Sequence, residues 1–162
     1  MRQLSTGFHM EDGDPKTAQW VSTKKLDALR WGFLGGQLLI FFQYIAERDA
    51  ILRVLEEEGI SYTTVKDKDA VAKWNRREVS CLVAHPASIS HGMNLQWGGS
   101  TILWMSLPAT YSIFHQGNMR LARKGQTQGV EVHVLKFSCT LEDARASRYE
   151  RQKLGNDWLL SQ

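Results

Sequence analysis

Leu38-Leu39-Ile40-Phe41-Phe42 is the stretch on which the fold turns. An apolar run without polar alternation predicts a strand buried on both faces, the kind that parallel sheets contain. Residues 46–58 follow it. There Ala46, Ile51, Leu52 and Leu55 recur at helical spacing, and Gly59 stands at the C-terminal cap. A strand followed by a helix is the first part of a βαβ unit, and the alternation continues down the chain. Strands are expected over 60–65, 79–84, 101–107 and 130–137. Helices are expected over 22–31, 69–77, 110–124 and 140–153. Asp69 is a candidate N-cap, and Thr140 another, with Asp143 at the third helical position. Strands alternating with helices predict an α/β fold, a mainly parallel sheet covered on both faces. Ligands of such sheets bind beyond the carboxyl ends of the strands. The 85–99 loop and the 110–124 helix both follow strand ends, so both are expected at that edge.

At 162 residues the chain is one domain by length, and its 43% apolar and 23% charged residues are ordinary for a soluble protein. Its net charge of +3 favours an acidic partner such as nucleic acid without requiring one. The first 14 residues carry no basic-then-apolar signal pattern. The longest uncharged run, 31–46, is broken by glycines, Gln37 and Gln43, and falls short of the ~20 apolar residues a membrane span needs. No membrane partner and a cytoplasmic location are therefore expected. Cys81 and Cys139 both sit in apolar contexts and are expected as free, buried thiols. Cys81, His85, His91, His115 and His133 match no standard zinc spacing, so no metal centre is expected.

Two segments carry chemistry. In Gln116-Gly-Asn-Met-Arg120-Leu-Ala-Arg123-Lys-Gly125-Gln126, residues 116, 120 and 123 would share one face of a continuous helix. Tyr111, Phe114 and Leu121 would lie on the opposite, core-facing side. Arginine suits phosphate because its planar fork binds oxygens two at a time and keeps its charge. Cations near a helix C-terminus also favour the helix dipole, and most charged faces are simply solvated. The second segment, His85 to Gln96, is rich in small and hydrogen-bonding groups. Its Ser88, His91 and Asn94 can contact phosphate or ribose oxygens, and Gly92 permits close backbone approach. Most of the six tryptophans are core candidates. Trp97, in the loop, is either a base-stacking ring or a partly buried anchor.

Together these segments resemble the C-terminal RecA-like lobe of superfamily-two helicases. The nearest likeness is to the Swi/Snf-like branch and its small bacteriophage and prophage forms. Lys25-Leu26 resembles the helix that opens the lobe, and Leu39-Ile40-Phe41-Phe42 its first strand. Trp74-Asn75 precedes the strand leading to Ser88…His91-Gly92-Met93-Asn94-Leu95-Gln96, which is similar to the family's fifth motif. Gln116…Arg120-x-x-Arg123-x-Gly125-Gln126 is similar to its sixth, and Thr140-Leu141-Glu142-Asp143 to the start of the next helix. Arg2-Gln3-Leu4 and Gly7 look like a connector, so 1–20 reads as linker and 21–162 as the lobe. Ala122, Lys124 and Ser90 depart from the family's usual histidine, isoleucine and glycine.

The resemblance implies a RecA-like α/β/α domain that closes over ATP and Mg²⁺ held mainly by an N-terminal lobe, joined in cis or supplied in trans. It implies Arg123 as the arginine finger, Arg120 as a second phosphate contact and Gln116 as the residue orienting them. Gly92, Asn94 and Gln126 would belong to the nucleotide side. Ser88, His91 and Trp97 would belong to the DNA side, with duplex DNA as the expected partner in a bacterial, phage- or prophage-related setting. The chain contains no G-x-x-x-x-G-K-[ST] phosphate loop and no Mg²⁺-holding acidic box, so alone it should be inactive. The alternative is a non-catalytic nucleic-acid or protein-binding module that kept the fold.

Overall fold

The computed structural model describes residues 6–10, 17–33, 35–89 and 93–160. Its elements, in chain order, are β1 (Phe8–His9), β2 (Gln19–Trp20), α1 (Lys24–Gly32), β3 (Leu38–Phe41), α2 (Ile45–Glu57) and β4 (Tyr62–Thr64). There follow α3 (Ala70–Asn75), β5 (Cys81–Ala84), β6 (Thr101–Trp104), α4 (Tyr111–Asn118), β7 (Glu131–Val134) and α5 (Leu141–Leu160).

Five strands form one sheet in the order β4-β5-β3-β6-β7, and every adjacent pair is parallel. The run 38–41 is the central strand, with Leu39 opposite both Leu82 and Ile102. All four of its residues are buried, which is why it lacks polar alternation. The pleat divides it between two cores. Leu38 and Ile40 join Leu29 of α1 and Ile51, Val54 and Leu55 of α2 on one face. Leu39 and Phe41 join Trp74 of α3, Leu95, Trp104 and Leu121 on the other. The three-layer α/β/α architecture follows from that division.

Most expected elements are present with shorter strands. Gly59 takes φ +65° after α2, as a helix-ending glycine does. Thr140 accepts from the Asp143 N–H at 3.4 Å, while Asp143 accepts from the Cys139 N–H at 3.2 Å, a reciprocal cap on α5. Asp69 differs from expectation. It lies at φ +62° and makes no side-chain cap. Residues 6–10 and 17–20 are also more ordered than their composition suggested. β1 and β2 pair antiparallel, and Phe8 is fully buried against Trp20 and Tyr44.

Candidate nucleotide-facing site

The arginine segment is not the helix that its spacing predicts. α4 ends at Asn118, and residues 119–126 form a chain of tight turns. The cause lies beneath the helix end. A Cβ on Gly117 would stand 2.8 Å from the Trp104 ring, and the Asn118 side-chain oxygen accepts the Trp104 indole N–H at 2.9 Å. Trp104 is itself stacked on Phe41 at 4.2 Å. Gly117 and Asn118 are thus fastened to the sheet, and the chain turns there so that Leu121 reaches the core. Gln116 is exposed, and its amide donates to Ser112 of the same helix at 3.3 Å, not to an arginine.

The turns place Arg123 against the second motif. Arg123 donates to the Asn94 side-chain oxygen at 2.8 Å. Asn94 is held from behind, because Asn75 donates to its carbonyl at 2.7 Å. The next carbonyl, Leu95, accepts the Trp74 indole N–H at 2.9 Å. Gly98 lies flat on Trp74, where a Cβ would come within 2.1 Å of the indole nitrogen. Gln126 closes the arrangement. Its amide donates to the Gln96 and Gly99 carbonyls at 3.0 and 2.9 Å, and its oxygen accepts from the Thr127 and Gln128 N–H groups at 3.1 Å each. Trp74 and Asn75 are therefore the base on which the site stands. The sequence marks most tryptophans as core candidates but assigns Asn75 no role of its own.

Arg120 is 5% exposed, and among the described residues its side chain makes no hydrogen bond or ion pair. Burial, and then the neighbouring Arg123 charge, draw its pKa below the usual arginine value. The group still carries its charge at neutral pH. Arg123, aimed by Asn94, and the largely buried Arg120 offer the kind of donors that suit an anion with several oxygens.

The position of the arginine segment also differs from expectation. Gly99, which Gln126 holds, precedes β6, and the Glu131 N–H at the start of β7 donates to Ser100. The arginine segment therefore runs over the α3/α4 face toward the amino ends of β6 and β7. Only the beginning of the 85–99 loop lies at the carboxyl edge. There His85 caps a short 3₁₀ turn, Pro86–Ser88, by accepting the Ala87 N–H at 3.2 Å. His85 meets Phe42 edge-on, and burial lowers its pKa. A cleft of about 670 Å³ opens there between the ends of β3, β4 and β5, lined in part by Gln43, Thr64, Lys66, His85 and Ser88. His91 and Gly92 lie outside the described residues.

A buried polar cluster at the carboxyl ends of β3 and β6 escaped the sequence reading. Lys25 donates to the Met105 carbonyl at 2.7 Å and pairs with Glu142 at 2.5 Å. Glu142 also accepts the Leu107 N–H at 3.2 Å. Glu47 accepts from Ser106 Oγ at 2.5 Å and from the Gln43 N–H at 2.8 Å. Burial pushes the Glu47 carboxyl up to about 7 and raises Glu142 as well. Residues 47, 51 and 54 share a helix face, so periodicity pointed Glu47 inward although its charge argued against it.

Other expectations divide. Cys81 is buried, its pKa raised to about 12 by burial, whereas Cys139 is exposed at φ +59°. Trp74 and Trp104 are fully buried, but Trp31 and Trp97 are exposed. Among the described residues no three His, Cys, Asp or Glu side chains converge as metal ligands, and no helix is long and apolar enough to cross a membrane. A groove of about 830 Å³ between α4, β7 and α5 is chiefly apolar, and Met119 and Ala122 of the arginine segment form part of its wall.

The fold, as distinct from the site, is shared with solved structures of other proteins. The C-terminal part of the Fun30 ATPase domain superposes with a TM-score of 0.64 at 18% identity, covering 76% of this chain and 42% of that one. The C-terminal domain of S. cerevisiae Dbp5 bound to Gle1 gives 0.62 at 14% identity, covering 82% and 79%. A second structure of that domain, described as belonging to a DEAD-box protein, gives 0.58 at 16% identity, covering 77% of each chain. The fold is accordingly that of a RecA-like helicase C-terminal lobe, and these likenesses do not separate the Swi/Snf branch from the DEAD-box branch. No family model matches the sequence. Protein p41 of Acyrthosiphon pisum secondary endosymbiont phage 1 is 33% identical over 92 residues, which are 54% of this chain. The match spans 20% of that protein's length.

Proposed function

We propose that this chain is the C-terminal motor lobe of a Swi/Snf-like, DNA-dependent ATPase, a helicase or duplex translocase of a bacteriophage or prophage acting in the bacterial cytoplasm. It works against an N-terminal RecA-like lobe, in cis or in trans, that binds most of the ATP and its Mg²⁺. The observation that carries this reading is Arg120, a cation 5% exposed with no partner among the described residues, three residues before an arginine that Asn94 aims. A structural arginine at that depth is ordinarily paired.

The donors fit the terminal phosphates of a nucleoside triphosphate. Arg123 spends one N–H on Asn94 and keeps the rest of its five donors for oxygens arriving from the other lobe. Arg120, with most of its surface buried, acts on developing charge more strongly than a fully solvated cation would. In this reading Arg123 is the finger and Arg120 the second phosphate contact. Asn94 positions Arg123, and Gln126 holds the loop that carries Asn94. Gly92 joins Asn94 in linking the nucleotide to the DNA side. Ser88 and His91 are assigned to the DNA backbone, and Ser88 lines the cleft at the carboxyl edge.

The test is DNA-stimulated ATP hydrolysis by the lobe together with its N-terminal lobe, wild type against Arg123→Ala. An arginine finger contributes ~10³-fold or more to turnover in other nucleotide hydrolases. A fall of that order in kcat with KM little changed is expected, because the lost interaction forms in the transition state. Unchanged turnover overturns the assignment and leaves a binding module with a helicase-lobe fold.

A further inference from the structure

Trp97 leaves 52% of its surface to solvent, although the backbone around it is pinned. Gln126 holds the carbonyls of Gln96 and Gly99, which bracket it at 3.0 and 2.9 Å. Trp74 holds Leu95 at 2.9 Å, and Gly98 fits over Trp74 only because it has no side chain. The exposure of this ring is therefore not the fraying of a loose loop. The other two tryptophans on this face differ: Trp74 and Trp104 are fully buried, each with its indole N–H bonded. The Trp97 indole N–H has no partner among the described residues. Its nitrogen edge lies over Gly125, where a Cβ would stand 3.6 Å away. Gly125, at φ +99°, is two residues beyond Arg123. Trp97 is also three residues beyond Asn94, the group that holds Arg123. It stands with the arginine segment, close to the amino end of β6. Ser88 lies at the carboxyl end of β5.

We propose that Trp97 is a stacking platform for the base of the nucleotide whose phosphates Arg120 and Arg123 receive. The proposal rests on the phosphate reading of those arginines and adds the other half of the ligand. A half-exposed indole on a pinned backbone, over Gly125 and three residues beyond the residue that holds Arg123, presents a flat π-face in the same segment as oxygen-binding forks, and a nucleotide has a flat ring at one end and phosphate oxygens at the other. Every base has a π-face, so stacking is tolerant of base identity. From this lobe, ATP and GTP are accepted alike, and any preference between them is set by the N-terminal lobe.

Calorimetric titration of the intact protein tests this with ATP, inorganic tripolyphosphate and a short oligothymidylate, for wild type, Trp97→Ala and Trp97→Phe. Stacking on an aromatic side chain typically costs ~10-fold in affinity when removed. Trp97→Ala is expected to weaken ATP by that factor, leave tripolyphosphate unchanged, and be largely rescued by Trp97→Phe. Unchanged ATP affinity overturns the platform. Equal losses for ATP and tripolyphosphate overturn it too, since they mark a structural role. A loss confined to the oligothymidylate overturns the nucleotide assignment and moves the ring to the nucleic acid. The phosphate reading is judged separately, by turnover: DNA-stimulated ATP hydrolysis that survives Arg120→Gln with Arg123→Ala ends that reading. A wild type that binds neither ATP nor tripolyphosphate ends both.

Discussion

Lys25 and Arg120 are equally buried cations, each 5% exposed, the first at the carboxyl end of β6 and the second in the turns after α4. Lys25 touches a carboxylate and a carbonyl, and the partners of that carboxylate are filled as well. Arg120 has no such partner among the described residues, and the Arg123 charge repels it. The first arrangement is complete without any ligand. It ties α1, α5 and the segment after β6 together. The second is tolerable only because a guanidinium is more weakly hydrated than an ammonium. Equal burial therefore says little about role, and the inventory of partners says a good deal.

The sharpest way to break the comparison is to remove both charges. Lys25→Met leaves Glu142 buried without its cation. Breaking a buried pair in this way costs about 3–5 kcal/mol, read by chemical denaturation. Arg120→Met removes a charge that had no partner, so stability should be unchanged or slightly higher while ATP turnover is lost. If Arg120→Met destabilises as much as Lys25→Met, Arg120 is structural and the contrast fails.

The pH dependence of stability sharpens the Lys25 side. The Glu47 carboxyl is raised from 4.5 to about 7, chiefly by burial, with Lys25 opposing and Glu142 adding to the shift. A raised acid binds its proton more tightly in the folded chain than in the unfolded one. Stability is thus greatest in acid, falls as pH climbs from the unfolded value through about 7, and is level above that. The shift corresponds to about 3 kcal/mol. Glu47→Gln keeps an acceptor for the Gln43 N–H and a donor for Ser106. It should flatten the stability profile between pH 5 and 8 and raise stability at the alkaline end. A variant with the wild-type slope would place the titrating proton on Glu142.

The sheet was legible because parallel strands leave a continuous apolar run, as at 38–42, and glycine punctuation closes their helices. The motif residues were legible too, but their geometry was not. Leu121 continues the apolar period of α4, so the pattern extends the helix through Arg123. What stops it is a contact between residues distant in sequence, Asn118 on Trp104, and no local rule reports such a contact. The buried cluster was hidden for a different reason. Lys25, Glu47 and Glu142 look like surface residues one at a time, and only their meeting at the ends of β3 and β6 makes them interior. The site's place on the sheet face was misjudged because the carboxyl-edge rule describes where strands end. The chain after α4 instead returns across the face to enter β7.

A smaller effect tests how the arginine face is supported. Gly98→Ala puts a methyl group into the Trp74 indole, with the ring fully buried and its N–H already engaged. The loop must lift, at about 1–3 kcal/mol, the usual cost of overpacking. Because Asn94 and Trp97 ride on that loop, turnover should fall together with the melting temperature. Gly129, which meets nothing within 4 Å, supplies the control: Gly129→Ala should leave both near wild type.

The smallest expected effect separates two polar residues near Arg123. Gln116 resembles the family's orienting glutamine, yet its amide turns back to Ser112 on an exposed face. Asn94 holds Arg123 directly. If the geometry of the lobe persists when ATP is bound, Asn94→Ala should lower kcat measurably and Gln116→Ala hardly at all. Stability in Gln116→Ala should stay within about 0.5 kcal/mol of wild type, as for most exposed substitutions. A turnover loss in Gln116→Ala as large as in Arg123→Ala would mean that the segment re-forms a longer helix against the N-terminal lobe. That would bring positions 116, 120 and 123 onto one face, as their spacing allows, and the turns after Asn118 would then belong to the open state alone.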